Sequence, residues 1–386
     1  MKLPNITSSI FAVMSKMAND YGAINLSQGF PDFNCSEELI DLFHKYSLGG
    51  YNQYAPMAGV LLLKEMISDK INELYSKRYN PENEITITSG ATQALFTAIT
   101  AVVSPGDEVI IFEPAYDSYA PVVQINGGIP VFIPLDNKDF SIDWQRVKDS
   151  LTNKTKLIII NSPHNPTGSV ISIDDIHKFE EIVRDKVLYI ISDEVYEHII
   201  FDGIKHVSIS ESEELSHKAF VISSFGKTFH TTGWKVGYCS APERLTTEFR
   251  KVHQFVVFAV NTPAQYAFAE YMKDKDHYMN LNNFYQQKRD ILLNALEGSR
   301  FKFTPATGTY FQLFDYSDIS DLDDMAFTRY LAKKVHVAAI PLSPFYSGVN
   351  NDKIIRLCFA KRDEVLLKAA ELIGSSGYLL EDVEIQ

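Results

Sequence analysis

Cysteine is scarce in this chain of 386 residues: Cys35, Cys239 and Cys358 stand far apart and form no CxxC pair. That spacing argues against a disulfide framework and a structural zinc site, and reduced thiols in a cytoplasmic protein are the expectation. Basic residues are in deficit, 36 Lys and Arg against 49 Asp and Glu, for a net charge of -13. No long run of either sign occurs, so no basic stripe is offered to a phosphate backbone, and no nucleic-acid partner is expected. Long apolar stretches are missing too. Runs such as Phe255 to Val260 fall far short of the roughly 20 residues a membrane span needs. The opening MKLPNITSSIFAVMSK is interrupted by Pro4 and polar residues and holds no apolar stretch of signal-peptide length. Three fingerprints are absent as well: GxGxxG after a strand, the GxxxxGK[ST] loop and HExxH. Dinucleotide, P-loop nucleotide and zinc-protease chemistry therefore lack their signatures, and no metal site is expected.

What is present is ordinary for a soluble globular protein, with 45% hydrophobic and 22% charged residues. At about 150 residues per domain the length allows two or three domains. Short β-branched runs bounded by turn residues recur at Ile85 to Thr88, Glu108 to Phe112, Lys156 to Asn161, Val187 to Ser192, Ala219 to Ser223 and Val236 to Cys239. They read as buried strands. Segments of helical spacing, such as Ala91 to Val103 and Ile173 to Arg184, lie between most of them. The alternation predicts βαβ units, an α/β fold and a mostly parallel sheet flanked by helices. Beyond about residue 275 the pattern changes to a long amphipathic helix, Tyr278 to Glu297, then short strands around Thr309 to Phe314 and Ile354 to Phe359. The division expected is an N-terminal segment 1–45 packing with the small domain, a large domain 46–277 and a smaller α+β domain 278–386.

Five segments carry chemistry. SSFGKTF (Ser223 to Phe229) follows a predicted strand, which delivers Lys227 to the carboxyl edge of the sheet, where open α/β folds bind ligands. A lysine is normally a solvated charge, but one held there with depressed pKa can attack an aldehyde and form an imine. SDEVY (Ser192 to Tyr196) ends another buried strand with Asp193, whose carboxylate costs several kcal/mol unless a cation meets it. A protonated pyridine nitrogen is a fitting cation, while an N-cap for the next segment is the structural alternative. NSPHNPTG (Asn161 to Gly168) forms an irregular loop from which Asn165 can reach a site, or simply make a turn. With Tyr196, Asn165 could hydrogen-bond the ring's phenolate oxygen. SGATQAL (Ser89 to Leu95) is a strand-to-helix junction whose free N–H groups at Gly90, Ala91 and Thr92 suit a phosphate. Ser224 and Lys235 can add a hydroxyl and a cation, although a surface place for Lys235 is equally compatible. IIRLCFA (Ile354 to Ala360) sets Arg356 in an apolar strand, where it either grips a substrate carboxylate or pairs with an acidic neighbour. His164, His198 and His230 adjoin these motifs and read as packing residues.

Taken together these residues make the chain resemble the fold-type I, class I/II aminotransferases over essentially its full length. NLSQGFPDF, NQYAP, SGATQAL, EPAYDSY, HNPTG, SDEVYEHI, SSFGKTFHTTGWKVGY and IRLCFAK occur in the family's order. The likeness is strongest to the branch of bacterial methionine aminotransferases and kynurenine/glutamine transaminases. The resemblance implies a seven-stranded sheet and pyridoxal 5'-phosphate as cofactor. Lys227 then forms the imine and shuttles the proton, Asp193 partners the pyridine nitrogen, and Asn165 and Tyr196 hold the ring oxygen. Tyr116 stacks on the ring, Arg356 binds the α-carboxylate with help from the backbone at Gly29, and Tyr54 reaches the partner's phosphate across a homodimer. Tyr116 and Lys235 stand where the aspartate-specific branch has a tryptophan and an arginine. These two differences argue against dicarboxylate specificity, and Phe30, Phe255 and Phe258 suggest a side-chain pocket that is aromatic rather than cationic. The expected substrates are a 2-oxo acid and a neutral hydrophobic, sulfur-containing or aromatic amino acid of the methionine, phenylalanine, tyrosine, kynurenine or glutamine class. A carbon–sulfur β-lyase on the same fold, or a binding protein without catalysis, are the rivals.

Overall fold

The computed structural model describes residue 3 and residues 8–375; the expected segments 1–45 and 278–386 extend beyond these at both ends. Its centre is a seven-stranded sheet in the order Ile85–Thr88, Gly237–Ser240, Ala219–Ser224, Tyr189–Asp193, Thr155–Asn161, Glu108–Glu113, Ile129–Pro134. Only Gly237–Ser240 runs antiparallel to its neighbours. Parallel strands buried on both faces need apolar side chains at every position, which is why these runs are continuous rather than alternating. Successive residues part to opposite sides. Ile110, Ile158 and Ile190 pack under the helices Trp144–Ser150 and Ile173–Val183. Ile111, Ile159 and Ile191 pack under Gly90–Val102 and Glu243–Val256. Each such side chain contributes about 1.5–3 kcal/mol by leaving water.

The helix Ile173–Val183 begins at a capping box, in which the Ser172 hydroxyl accepts from Asp175 N–H and the Asp175 carboxylate accepts from Ser172 N–H. One strand escapes the pattern of short β-branched runs. Ile129–Pro134 lies at the sheet edge, and its Pro130 and Pro134 are tolerated there because an edge strand leaves N–H positions unpaired.

The C-terminal part forms an antiparallel three-stranded sheet, Ile340–Pro341, Ile354–Cys358 and Phe311–Asp315, backed by the helices Leu281–Leu296 and Asp363–Ser375. The predicted helix Tyr278 to Glu297 breaks at Asn280, after a short helix Asp276–Met279. The N-terminal segment holds a helix, Ile10–Asp20, whose Met14 packs with Leu313, Ile340 and Phe345. It also holds a two-residue strand, Ile24–Asn25, parallel to Val337–Ala338. One apolar cluster joins Leu63 and Phe268 with Tyr285, Tyr310 and Leu366, so the core is continuous across residue 278. Among the described residues no helix is long and apolar enough to cross a membrane.

Candidate active site

The parallel strands end side by side, and their carboxyl ends open on a cavity of about 290 Å³. Open α/β sheets bind ligands at this edge because the loops there are free to diverge. Asn161 and Asp193 are paired in register as the last residues of adjacent strands. The Asn161 amide donates to the Asp193 carbonyl at 2.8 Å, and its oxygen accepts from Asn165 N–H at 2.9 Å. One side chain thus ties the Asn165 loop to the Asp193 strand.

Asp193 is 4% exposed and makes no ion pair among the described residues. The Tyr119 hydroxyl donates to its Oδ2 at 2.7 Å. Burial pushes its carboxyl up to about 6, with the Tyr119 bond the main opposing influence. An N-cap role is not what holds it, since the contact from Val195 N–H is long, 3.4 Å.

Lys227 lies in the one-turn helix Phe225–Thr228 that follows the strand Ala219–Ser224. Its amine donates to the Tyr310 hydroxyl at 2.6 Å and to the Gly29 carbonyl at 3.0 Å. Burial pushes it down to about 8. Tyr196 lines the same wall, its ring edge-on to that of Tyr310 at 5.1 Å, and burial holds its phenol protonated.

Arg356 is 1% exposed, and its guanidinium lies 3.7 Å from the Phe311 ring centroid. It donates to Asn165 Oδ1 at 2.5 Å and to the Ser27 carbonyl at 3.4 Å, while Nε has no partner. It forms no ion pair with a carboxylate among the described residues, so the structural salt bridge open from sequence is not what keeps it. Burial lowers it to about 10. Because Asn165 turns its oxygen to Arg356, its amide nitrogen is left for other acceptors.

Opposite, the helix Gly90–Val102 points its N-terminus at the cavity, and the N-cap Ser89 supplies no side-chain cap. The N–H groups of Gly90, Ala91 and Thr92 are therefore available to an anion, as the helix dipole favours. Gly90 has φ 71°, and the Lys235 amine lies 3.4 Å from where its Cβ would be. Ser224 and Tyr116 complete this side, with the Tyr116 ring edge-on to Tyr119 at 5.6 Å.

The fold thus brings Gly29, Gly90, Ala91, Thr92, Tyr116, Asn165, Asp193, Tyr196, Ser224, Lys227, Lys235 and Arg356 to one cavity. The aromatic pocket predicted from Phe30, Phe255 and Phe258 is not assembled within one chain. Phe30 is 44% exposed and Phe255 is 87% exposed, and neither they nor Phe258 line the cavity. Its apolar wall is formed by Phe11 and Phe311 instead. Tyr54 is 84% exposed, against Phe258 at 5.5 Å. Tyr119, Tyr310, Phe11 and Gln28 escaped the sequence reading. Tyr119 and Gln28 had local signals, one three residues after Tyr116 in EPAYDSY and the other beside Gly29 in NLSQGFPDF; Tyr310 and Phe11 had none. His164 is buried and His198 and His230 partly so, and desolvation pushes them down to about 4, 3 and 4, so they pack as neutral rings.

A buried amine, a carboxylate and a guanidinium without ion pairs, and a helix N-terminus thus surround one space among the described residues. The family model described as aminotransferase class I and II matches residues 21–373. The methionine aminotransferase of Escherichia coli (strain K12) is 48% identical over 371 residues, 96% of each chain. A solved structure of an E. coli protein reported as a methionine aminotransferase superposes with TM-score 0.95 at 47% identity, covering 97% of this chain and 98% of that one. The N-succinyldiaminopimelate aminotransferase of Mycobacterium tuberculosis gives TM-score 0.94 at 35% identity, with 97% and 99% covered. The kynurenine–oxoglutarate transaminase of Dictyostelium discoideum is 35% identical, over 94% of this chain and 92% of its own.

Proposed function

The chain belongs to the class I and II aminotransferases, and from that premise we propose that it binds pyridoxal 5'-phosphate in the cavity at Lys227. There it moves the amino group of a neutral hydrophobic, sulfur-containing or aromatic amino acid to a 2-oxo acid. One observation carries the reading: Lys227, Asp193 and Arg356 face a single cavity, and none has an ion-pair partner among the described residues. Three uncompensated charges on one space are costly unless ligands supply the missing ones.

The residues fit the group. When bound, it supplies an aldehyde for amines and a ring that accepts the electron pair released at the substrate's Cα. The N–H groups of Gly90, Ala91 and Thr92, with the Ser224 hydroxyl and Lys235, hold the phosphate. Asp193 keeps the ring nitrogen protonated, Asn165 and Tyr196 hydrogen-bond the ring oxygen, and Tyr116 covers the ring. Arg356 binds the substrate's α-carboxylate, with Asn165 and the Gly29 backbone beside it. Lys227, its amine pushed down to about 8, gives up its proton far more easily than an ordinary lysine and so can take the proton from Cα and later return it. Amino acid and oxo acid use the same site in turn.

Phe11 and Phe311 favour an apolar or sulfur-containing side chain, as the methionine aminotransferase relatives suggest. The exposed Tyr54, Phe255 and Phe258 favour a homodimer in which Tyr54 reaches the phosphate of the partner subunit's cofactor. Three unpaired cysteines agree with a cytoplasmic setting.

The test is a panel of amino acids added singly to the yellow holoenzyme without oxo acid. Methionine and the aromatic amino acids should bleach it fastest. Colour that survives every amino acid refutes the activity, whereas fastest bleaching by an acidic amino acid refutes only the substrate class.

A further inference from the structure

A lysine that bonds the cofactor is released in one half-reaction and bonds it again only at the end of the other, so the released amine needs a defined place. Three atoms form a closed triangle at such a place. Lys227 Nζ donates to Tyr310 Oη at 2.6 Å and to Gly29 O at 3.0 Å, and Tyr310 Oη itself donates to Gly29 O at 2.5 Å. A phenol has one proton; given to the Gly29 carbonyl, it leaves the oxygen's lone pairs for the amine and for the Tyr196 hydroxyl, which also bonds it. Burial keeps that phenol protonated, and the ring is wedged edge-on between Tyr196 and Phe311. We propose that Tyr310 and the Gly29 carbonyl form the waiting site of the released Lys227 amine, which makes Tyr310 a positioning residue for proton transfer at the substrate's Cα. The inference rests on Lys227 being the amine that bonds the cofactor.

The other groups that act on this amine are Arg356 and Lys235, which disfavour its charge, and Asp193 and Cys358, which favour it. The Tyr196 ring centroid is 5.6 Å away. Tyr310 adds an acceptor to the charged form, so removing it shifts the titration of Lys227 downward.

The experiment uses full-length protein loaded with pyridoxamine 5'-phosphate, which bears no aldehyde and leaves Lys227 free. Competitive acetylation across pH, quantified peptide by peptide by mass spectrometry, reads the titration of Lys227 directly. In Tyr310→Phe the curve should move down by about one pH unit, as expected for a lost hydrogen bond to a charged group, with affinity for pyridoxamine 5'-phosphate unchanged. Superimposable curves overturn the proposal, and a loss of affinity without a shift does so too. If that variant fails to load, 4-aminophenylalanine at position 310 keeps an N–H for the Gly29 carbonyl but offers the amine a poor acceptor. A downward shift there supports the waiting site and no shift refutes it. Borohydride reduction of wild-type protein carrying pyridoxal 5'-phosphate tests the premise separately, because a tag away from position 227 removes the lysine assignment whatever the titration shows.

Discussion

Asp193 shows what burying a carboxylate without an ion pair costs the fold. Its carboxyl titrates at about 6 in the fold and near 4 in an unfolded chain. As pH rises, the unfolded chain loses its proton first, so this group's effect is to lower stability between about pH 4 and pH 6 and keep it low above. Asp193→Asn removes the charge but keeps the shape. Cofactor-free Asp193→Asn should therefore be more stable than wild type at pH 8 by roughly 2–3 kcal/mol, seen as a melting point higher by a few degrees, with the gap closing toward pH 4. Calorimetry on both proteins decides it, and equal melting at pH 8 contradicts the assignment of strain to this residue. Sequence made the carboxylate visible, at the end of a buried strand. Tyr119, whose hydroxyl holds it, sits 74 positions away and was legible only as a neighbour of Tyr116.

Among the elements, the strand Gly237–Ser240 packs tightly against the N-terminus of the helix Gly90–Val102. A Cβ on Gly237 would lie 2.7 Å from the Ser223 carbonyl oxygen and 3.1 Å from Ala91 N. Both are backbone atoms, so no side chain can swing away, and the helix N-terminus must shift. Gly237→Ala should cost about 1–3 kcal/mol in a urea melt and weaken pyridoxal 5'-phosphate binding at least about tenfold, the effect of roughly 1.4 kcal/mol at the ligand. Unchanged affinity in a fluorescence titration would show the cradle to be indifferent to this contact. The buried strands were readable because continuous β-branched runs are the mark of a strand covered on both faces. Ile129–Pro134 was not, because its prolines imitate a turn and only an edge position excuses them.

For the whole molecule, the decisive feature is an exposed aromatic surface. Tyr54 and Phe258 touch in the open, and Phe255 stands free nearby in sequence. Single exposed apolar side chains are ordinary, whereas aromatic rings exposed together, as Tyr54 and Phe258 are, mark a contact site. If Tyr54 serves the site of the partner subunit, two defective variants must rescue each other. Lys227→Ala and Tyr54→Ala, each inactive or nearly so alone, should regain activity when mixed and refolded together, because one site of the hybrid then has both an intact lysine and an intact tyrosine from opposite chains. Failure of the mixture to exceed its components, with hybrid formation verified by mass, places Tyr54 outside the shared site.

Local order along the chain determined the strands, the loops at their ends and the residue types those loops present, because periodicity and turn chemistry act over a few positions. It was enough to expect a lysine, a carboxylate and an anion cradle at strand ends and an arginine within an apolar strand, while their meeting in one site was implied only by the family resemblance. Tertiary structure alone decided which groups answer them: Tyr310 for Lys227, 83 positions away, and Asn165 for Arg356, 191 positions away. It also turned the predicted aromatic pocket outward, leaving Phe11 and Phe311 on the cavity wall. Such pairings depend on how sheet and C-terminal strands cross in space, and no short-range pattern encodes a distance between segments that meet only in the finished fold.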